Sequence, residues 1–237
     1  MPEVQLEIEE SQAQLFHEAK RIQQSLITNL EKRVLLWLAK RTPEKVNSDH
    51  LTVLGAAGMF LAGASYGLSR YSHYGLLLSC VFLAINWLGD SLDGTLARFR
   101  SRQRPRYGFY VDHVIDCFGV TALLGGLGAS GYMHPLVAVW LLVAYLLLSS
   151  EIFLATYALG RFEMSYFHLG PTELRILLCL GNLYLFFQTS IPSFHSFGFA
   201  LSVVDLCGVI GGLGMVAIAI VSFVRHARLL YDAERLE

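Results

Sequence analysis

Asp90, Asp93, Asp112 and Asp116 are the residues of this 237-residue chain best placed to do chemistry together. The stretch that holds them reads DSLDGTLARFRSRQRPRYGFYVDHVID and carries five arginines as well. On a helix, Asp90 and Asp93 share a face at i,i+3, and Gly94 and Ala97 continue the same stripe. Asp112 and Asp116 form an i,i+4 pair, with Gly108 four residues before Asp112 and Gly119 seven after it. Two such helices, each with two carboxylates beside small residues, can enclose a cation and let a ligand approach the backbone. A carboxylate at mid-membrane depth costs about 2.5–3.5 kcal/mol on insertion scales. Four near one another also repel, so either some are protonated or something positive sits among them. Magnesium is a hard cation that takes carboxylate oxygens and shares its remaining positions with phosphate. Two such ions about 3.5–4 Å apart would clamp a phosphoryl group from both sides. Pairing of the aspartates with the arginines is the plainer alternative; it explains single acids but not the small residues on the acidic stripes.

The elements that must position these acids are long apolar runs. Hydrophobic residues make up 54% of the chain and charged residues 16%, against about 25% charged in a soluble domain. Six runs approach the ~20 residues needed to cross a bilayer, at about 51–69, 74–96, 109–133, 135–159, 173–191 and 197–224. The expected fold is all-α: a polytopic membrane protein with six transmembrane helices and an N-terminal amphipathic juxtamembrane helix. Residues 1–50 form the polar N-terminal segment, and 51–237 the transmembrane domain. In the former, Leu15, Ala19, Ile22, Leu26 and Leu30 recur at helical spacing. Glu31 to Arg41 combines Trp37 with basic residues, as a helix on the membrane surface would; the alternative is a helix packed on a partner or on the protein's own face. Asn47, Ser48 and Asp49 are good caps for the first span. With six spans, 17 of the 18 lysines and arginines lie on one side and only Arg70 on the other. That bias predicts cytoplasmic termini, in a cell (inner) membrane, with the aspartates near the cytoplasmic ends of spans two and three. Cys80, Cys117, Cys179 and Cys207 stand singly in apolar sequence and read as small buried hydrophobes. The opening residues lack the apolar core of a signal peptide.

The pattern Asp90-x2-Asp93-Gly94-x2-Ala97-Arg98-x9-Gly108-x3-Asp112-x3-Asp116 resembles the signature of the CDP-alcohol phosphotransferases (CDP-alcohol phosphatidyltransferases), membrane enzymes of phospholipid head-group synthesis. The spacer before Gly108 is at the longer end of what that family uses. The resemblance implies displacement of CMP from a CDP-alcohol, usually CDP-diacylglycerol, by a hydroxyl acceptor. It implies two divalent ions, Mg2+ or Mn2+, held by Asp90, Asp93 and Asp112, with Asp116 completing the metal shell and acting as general base. Gly94, Ala97 and Gly108 match the small positions beside the cytidine nucleotide, and Arg98 the arginine near its phosphates. Thr52 matches a position near the nucleotide, although a threonine opening a helix explains it equally well. A homodimer is implied, and no nucleic-acid partner is expected.

Arg161, Glu163, His168, Thr172, Glu173 and Arg175 form the next polar cluster. Arg161, Glu163, Glu173 and Arg175 are candidates for binding the acceptor, and a capped helix start at Pro171–Glu173 is the rival reading. Asn86 sits one turn before Asp90, and His113 points away from the aspartate stripe. Glu151 and Asp205 are further intramembrane acids, each either functional or a helix–helix contact. Two other functions fit the same site: hydrolysis of a CDP-lipid by water, and divalent-cation transport. The arginine cluster disfavours transport, because five positive charges would stand at the mouth of the path.

Overall fold

Proline opens three of the helices, at the first helical position where its missing N–H costs nothing. The computed structural model describes residues 28–159, 171–188, 193–196 and 199–234. Its elements are α1 (Thr28–Arg41), α2 (Ser48–Ser69), α3 (Tyr74–Phe99), α4 (Pro105–Ala129), α5 (Pro135–Leu159), α6 (Pro171–Phe187), β1 (Ser193–Ser196), β2 (Phe199–Ser202) and α7 (Val203–Ala233). Leu15, Ala19, Ile22 and Leu26 lie outside the described residues, as do Arg161, Glu163 and His168. Polar caps open two of the remaining helices, α2 and α7. The Asn47 N–H donates to His50 Nδ1 at 3.1 Å at the start of α2. At α7, Ser202 Oγ accepts from the Asp205 N–H at 3.0 Å while Asp205 Oδ2 accepts from the Ser202 N–H at 2.8 Å. Asp205 Oδ1 also accepts from the His134 N–H at 2.6 Å. This buried acid is therefore structural: it caps one helix and ties down the α4–α5 connection.

Among the described residues five helices, α2 to α5 and α7, are long and apolar enough to cross a membrane. Their outward faces carry apolar side chains such as Val53, Phe118, Leu154 and Ile210, which lipid would cover. The chain is a multi-pass, mainly helical membrane protein. The expected fifth run, 173–191, is realised as the 17-residue α6, at the short end of the ~17–25 residues of a spanning helix. Residues after it form a small antiparallel hairpin with Ser193 opposite Ser202, the only strands among the described residues. The Ser202–Asp205 cap then starts the last span at Val203 rather than near 197.

In lipid there is little hydrophobic gain from joining helices, so close backbone approach and hydrogen bonds must do it. Glycines supply that approach where α2 crosses α3 and α4. A Cβ at Gly89 would collide with the backbone of Gly55, one at Gly126 with the carbonyl of Gly63, and one at Gly58 would stand 2.7 Å from Asn86 N. Tyr66, Leu76, Leu83, Leu123 and Leu127 fill the core beside these crossings. The Tyr66 hydroxyl donates to Asn182 Oδ1 at 2.9 Å and fastens α6 to α2. α5 and α7 meet differently, with the Trp140 ring filling the space over Gly212. The cysteines are free thiols.

α1 packs on the protein itself. Leu35 and Ala39 are buried against Leu51 of α2 and Leu92 and Leu96 of α3. Glu31 Oε1 accepts from Trp87 Nε1 and from the Thr172 hydroxyl, each at 2.8 Å, linking α1 to α3 and α6. The Arg100 guanidinium donates to the carbonyls of Thr42, Pro43 and Val46 at 2.6–2.9 Å and clamps the α1–α2 connection. The expectation of a membrane-surface helix thus needs correcting for this face, which covers the ends of α2 and α3. Leu36 and Trp37 on the other side remain about half exposed.

Candidate active site

The Gly55–Gly89 crossing sets the position of the first aspartate, because a Cβ at Gly55 would lie 3.0 Å from Asp90 N. α3 and α4 then run side by side with α2, and their acidic faces converge at the end of the bundle that α1 covers. One carboxylate oxygen from each of Asp90, Asp112 and Asp116 lies within 4.8 Å of the others. All three side chains are half-buried. Like charges this close repel, and more strongly than in water because the effective dielectric is lower. Three convergent carboxylate oxygens with no nitrogen or sulfur donor suit a hard cation such as magnesium or manganese. The donor set therefore fits the divalent ion that the motif implies.

Asp93, the fourth member of the motif, does not join that group. Its Oδ2 accepts from the Thr52 hydroxyl at 2.6 Å, and its Oδ1 from the Gly94 N–H at 2.5 Å. Thr52 Oγ1 also lies 3.2 Å from the Ser48 carbonyl, and the residue bridges the first turn of α2 to α3. Arg175, on α6, reaches Asp90 Oδ2 with Nη2 at 2.6 Å and Asn86 Oδ1 with Nε at 2.8 Å. Asn86 in turn donates to the Gly55 carbonyl at 2.9 Å. The Arg175 side chain is 13% exposed and the Asp90 side chain 26%, so their charges are only partly screened. Nothing local in the sequence could pair Asp90 with Arg175, 85 residues apart; only the cost of burying either charge hinted at a partner.

Around the aspartates the small residues leave room. A Cβ at Gly108 would meet nothing within 4 Å, and one at Gly94 would meet only the Arg98 side chain, at 3.4 Å. Ala97 is half-buried and Arg98 exposed, with Arg98 Nη2 donating to Thr95 Oγ1 at 3.3 Å. Glu173 lies in the first turn of α6, two residues before Arg175. His113 is structural: Nδ1 lies 2.6 Å from the Phe109 carbonyl, and the ring packs on Phe109 and Phe153. Arg104 pairs with Asp49 at the surface, which takes one of the five arginines away from the acids.

Three carboxylates thus gather beside two glycines with open space and a guanidinium, on helices long and apolar enough to cross a membrane. No curated protein matches the chain. The family profile of CDP-alcohol phosphatidyltransferase matches residues 46–225, a span that contains α2 to α6 and most of α7 together with every residue of this group. The chain belongs to the CDP-alcohol phosphatidyltransferases, enzymes that transfer substituted phosphate groups.

Proposed function

We propose that this protein transfers a phosphatidyl group from CDP-diacylglycerol to a hydroxyl acceptor and releases CMP. The observation that carries this reading is the convergence of Asp90, Asp112 and Asp116 within 4.8 Å, beside glycines that leave open space. Asp90, Asp112 and Asp116 would hold divalent metal, and Asp93, anchored by Thr52, adds a carboxylate for a second ion. Bound magnesium or manganese supplies neutralising charge to the diphosphate. Arg98 offers positive charge to the same phosphates, as electrostatic stabilisation of the leaving group requires. Gly94, Ala97 and Gly108 give the cytidine nucleotide its clearance. Asp116 takes the proton of the attacking hydroxyl, which is a weak nucleophile until a base removes it. Arg175 and Glu173 on α6 would contact the acceptor; Arg161 and Glu163, the other two candidates, lie outside the described residues.

The lysine and arginine bias supports cytoplasmic termini and access from the cytoplasmic side of the cell membrane. The exposed Trp37 and Leu36 of α1 then rest at that surface. The family relationship supports a homodimer.

The test is CMP release by purified protein from labelled CDP-diacylglycerol, with a panel of acceptor alcohols. Release should require both magnesium and an added alcohol. Release without alcohol would make the protein a hydrolase, and metal uptake into vesicles without nucleotide turnover would make it a transporter. Asp116→Asn should lower turnover by roughly 10²–10⁴-fold, the usual contribution of a general base, with a much smaller loss of nucleotide affinity. Equal loss of both would remove the base role from Asp116.

A further inference from the structure

Glu151 and His226 take no part in the chemistry above. Glu151 stands on α5 and His226 on α7, near the helix ends that share the aspartate side of the bundle. His226 Nδ1 lies 2.7 Å from Glu151 Oε1, and the two side chains are 12% and 13% exposed. The other carboxylate oxygen, Glu151 Oε2, is buried and has no hydrogen-bond partner among the described residues. Buried polar atoms are satisfied as a rule, so an exception demands an explanation. Glu151 and His226 line a cavity of about 390 Å³ between the two helices, together with Thr156, Arg225, Leu159 and Leu229. That volume is within the ~300–1,000 Å³ typical of small-ligand sites. None of the aspartates of the motif lines it.

We propose that this cavity binds the head of a glycerophospholipid that carries a hydrogen-bond donor, either a hydroxyl or a primary ammonium. The lining divides as such a molecule does. The bond from His226 holds the Glu151 carboxylate in one orientation and leaves Oε2 for the donor of the head group. Thr156 gives its proton to the Ile152 carbonyl at 2.7 Å, so its oxygen is a second acceptor. Arg225, an exposed residue, also lines the cavity and would offer its charge to the phosphodiester, and Leu159 and Leu229 would receive the first methylenes of the lipid. A carboxylate with a missing donor, a guanidinium and an apolar wall in one intramembrane cavity match a donor-bearing phospholipid better than a free anion or a bare hydrocarbon. The site does not depend on the transferase reading and would stand if the protein hydrolysed its substrate.

The test titrates delipidated full-length protein in detergent with phosphatidylethanolamine, phosphatidylglycerol and phosphatidylcholine, and counts bound lipid by native mass spectrometry. The first two should bind about tenfold more tightly than phosphatidylcholine, whose trimethylammonium has no proton to give. Glu151→Met, apolar and of similar length, should erase that preference. Equal retention of all three lipids by the unaltered protein would overturn the proposal without any variant, and so would a preference that survives in Glu151→Met. Soluble glycerophosphoethanolamine should displace bound phosphatidylethanolamine weakly, and inorganic phosphate not at all. Displacement by inorganic phosphate alone would identify an anion site and refute the donor role of the head group.

Discussion

The glycines of this protein do opposite work in two neighbouring regions. In the middle of the bundle Gly55, Gly58, Gly63, Gly89 and Gly126 stand where α2 touches α3 and α4, and a methyl group on any of them would press on the backbone of the next helix. At the aspartate end, Gly108 faces open space and Gly94 meets only the movable side chain of Arg98. The first group is small because another helix is present; the second is small with no helix there to require it. Since Asp90 follows Gly89 directly, the tight crossing also fixes where the first carboxylate points. The rigid region and the open region are thus one device: close packing aims the acids, and clearance leaves room for what they act on.

Gly126→Leu should break the tight region outright. Overpacking a core costs about 1–3 kcal/mol where side chains can yield, but here the obstacle is the Gly63 carbonyl. The helices would have to separate. Loss of the folded, monodisperse species on size-exclusion chromatography is the expected outcome. Gly125→Leu, one residue earlier and facing open space, should cost no more than about 0.5 kcal/mol, as surface substitutions usually do. Equal behaviour of the two variants would show that the crossing tolerates displacement.

Gly108→Ala should break the open region while sparing the tight one. Alanine is better than glycine inside a helix by about 0.8–1.0 kcal/mol, and nothing opposes the added methyl group. Thermal stability should hold or rise. Affinity for a CDP-alcohol should nevertheless fall about tenfold, measured by competition against a labelled substrate, if the space belongs to the nucleotide. Unchanged affinity would mean that the clearance at Gly108 serves no ligand.

Much of this was legible in the sequence because the signals are local. Helix periodicity placed four aspartates on two stripes, apolar length located the spans, and the caps at Asn47–Asp49 and Pro171–Glu173 marked two helix starts. What escaped required contacts between distant residues. Thr52 matched a nucleotide position, yet its hydroxyl holds Asp93. Arg175 was legible as a cation near the site but not as the partner of Asp90. Glu31 gave no sign that it joins three helices, because its partners Trp87 and Thr172 lie 56 and 141 residues away. The expected run 173–191 extends four residues past the end of α6 because it took in the polar Gln188, Thr189 and Ser190 that follow Phe187, and α6 stops before them.

Ser101, between the two acidic helices, refines the comparison at the smallest scale. The Arg102 N–H donates to the Ala97 carbonyl at 2.9 Å and the Ser101 N–H to the Arg98 carbonyl at 3.1 Å, the paired bonds of a Schellman helix end. That motif needs a left-handed residue, and Ser101 supplies it with φ of 52°. Glycine adopts this conformation without the Cβ clash that other residues suffer. Ser101→Gly should therefore stabilise the protein by up to about 1 kcal/mol, less whatever glycine's extra freedom costs in the unfolded chain. The readout is the midpoint of thermal unfolding in detergent. Nucleotide affinity should stay the same, because the substitution relaxes a turn without adding atoms to the open region or moving α2 against α3. A change in affinity without a change in midpoint would show that this turn positions Arg98 or Gly108 for the ligand, and would extend the working region beyond the glycines to the link between the helices.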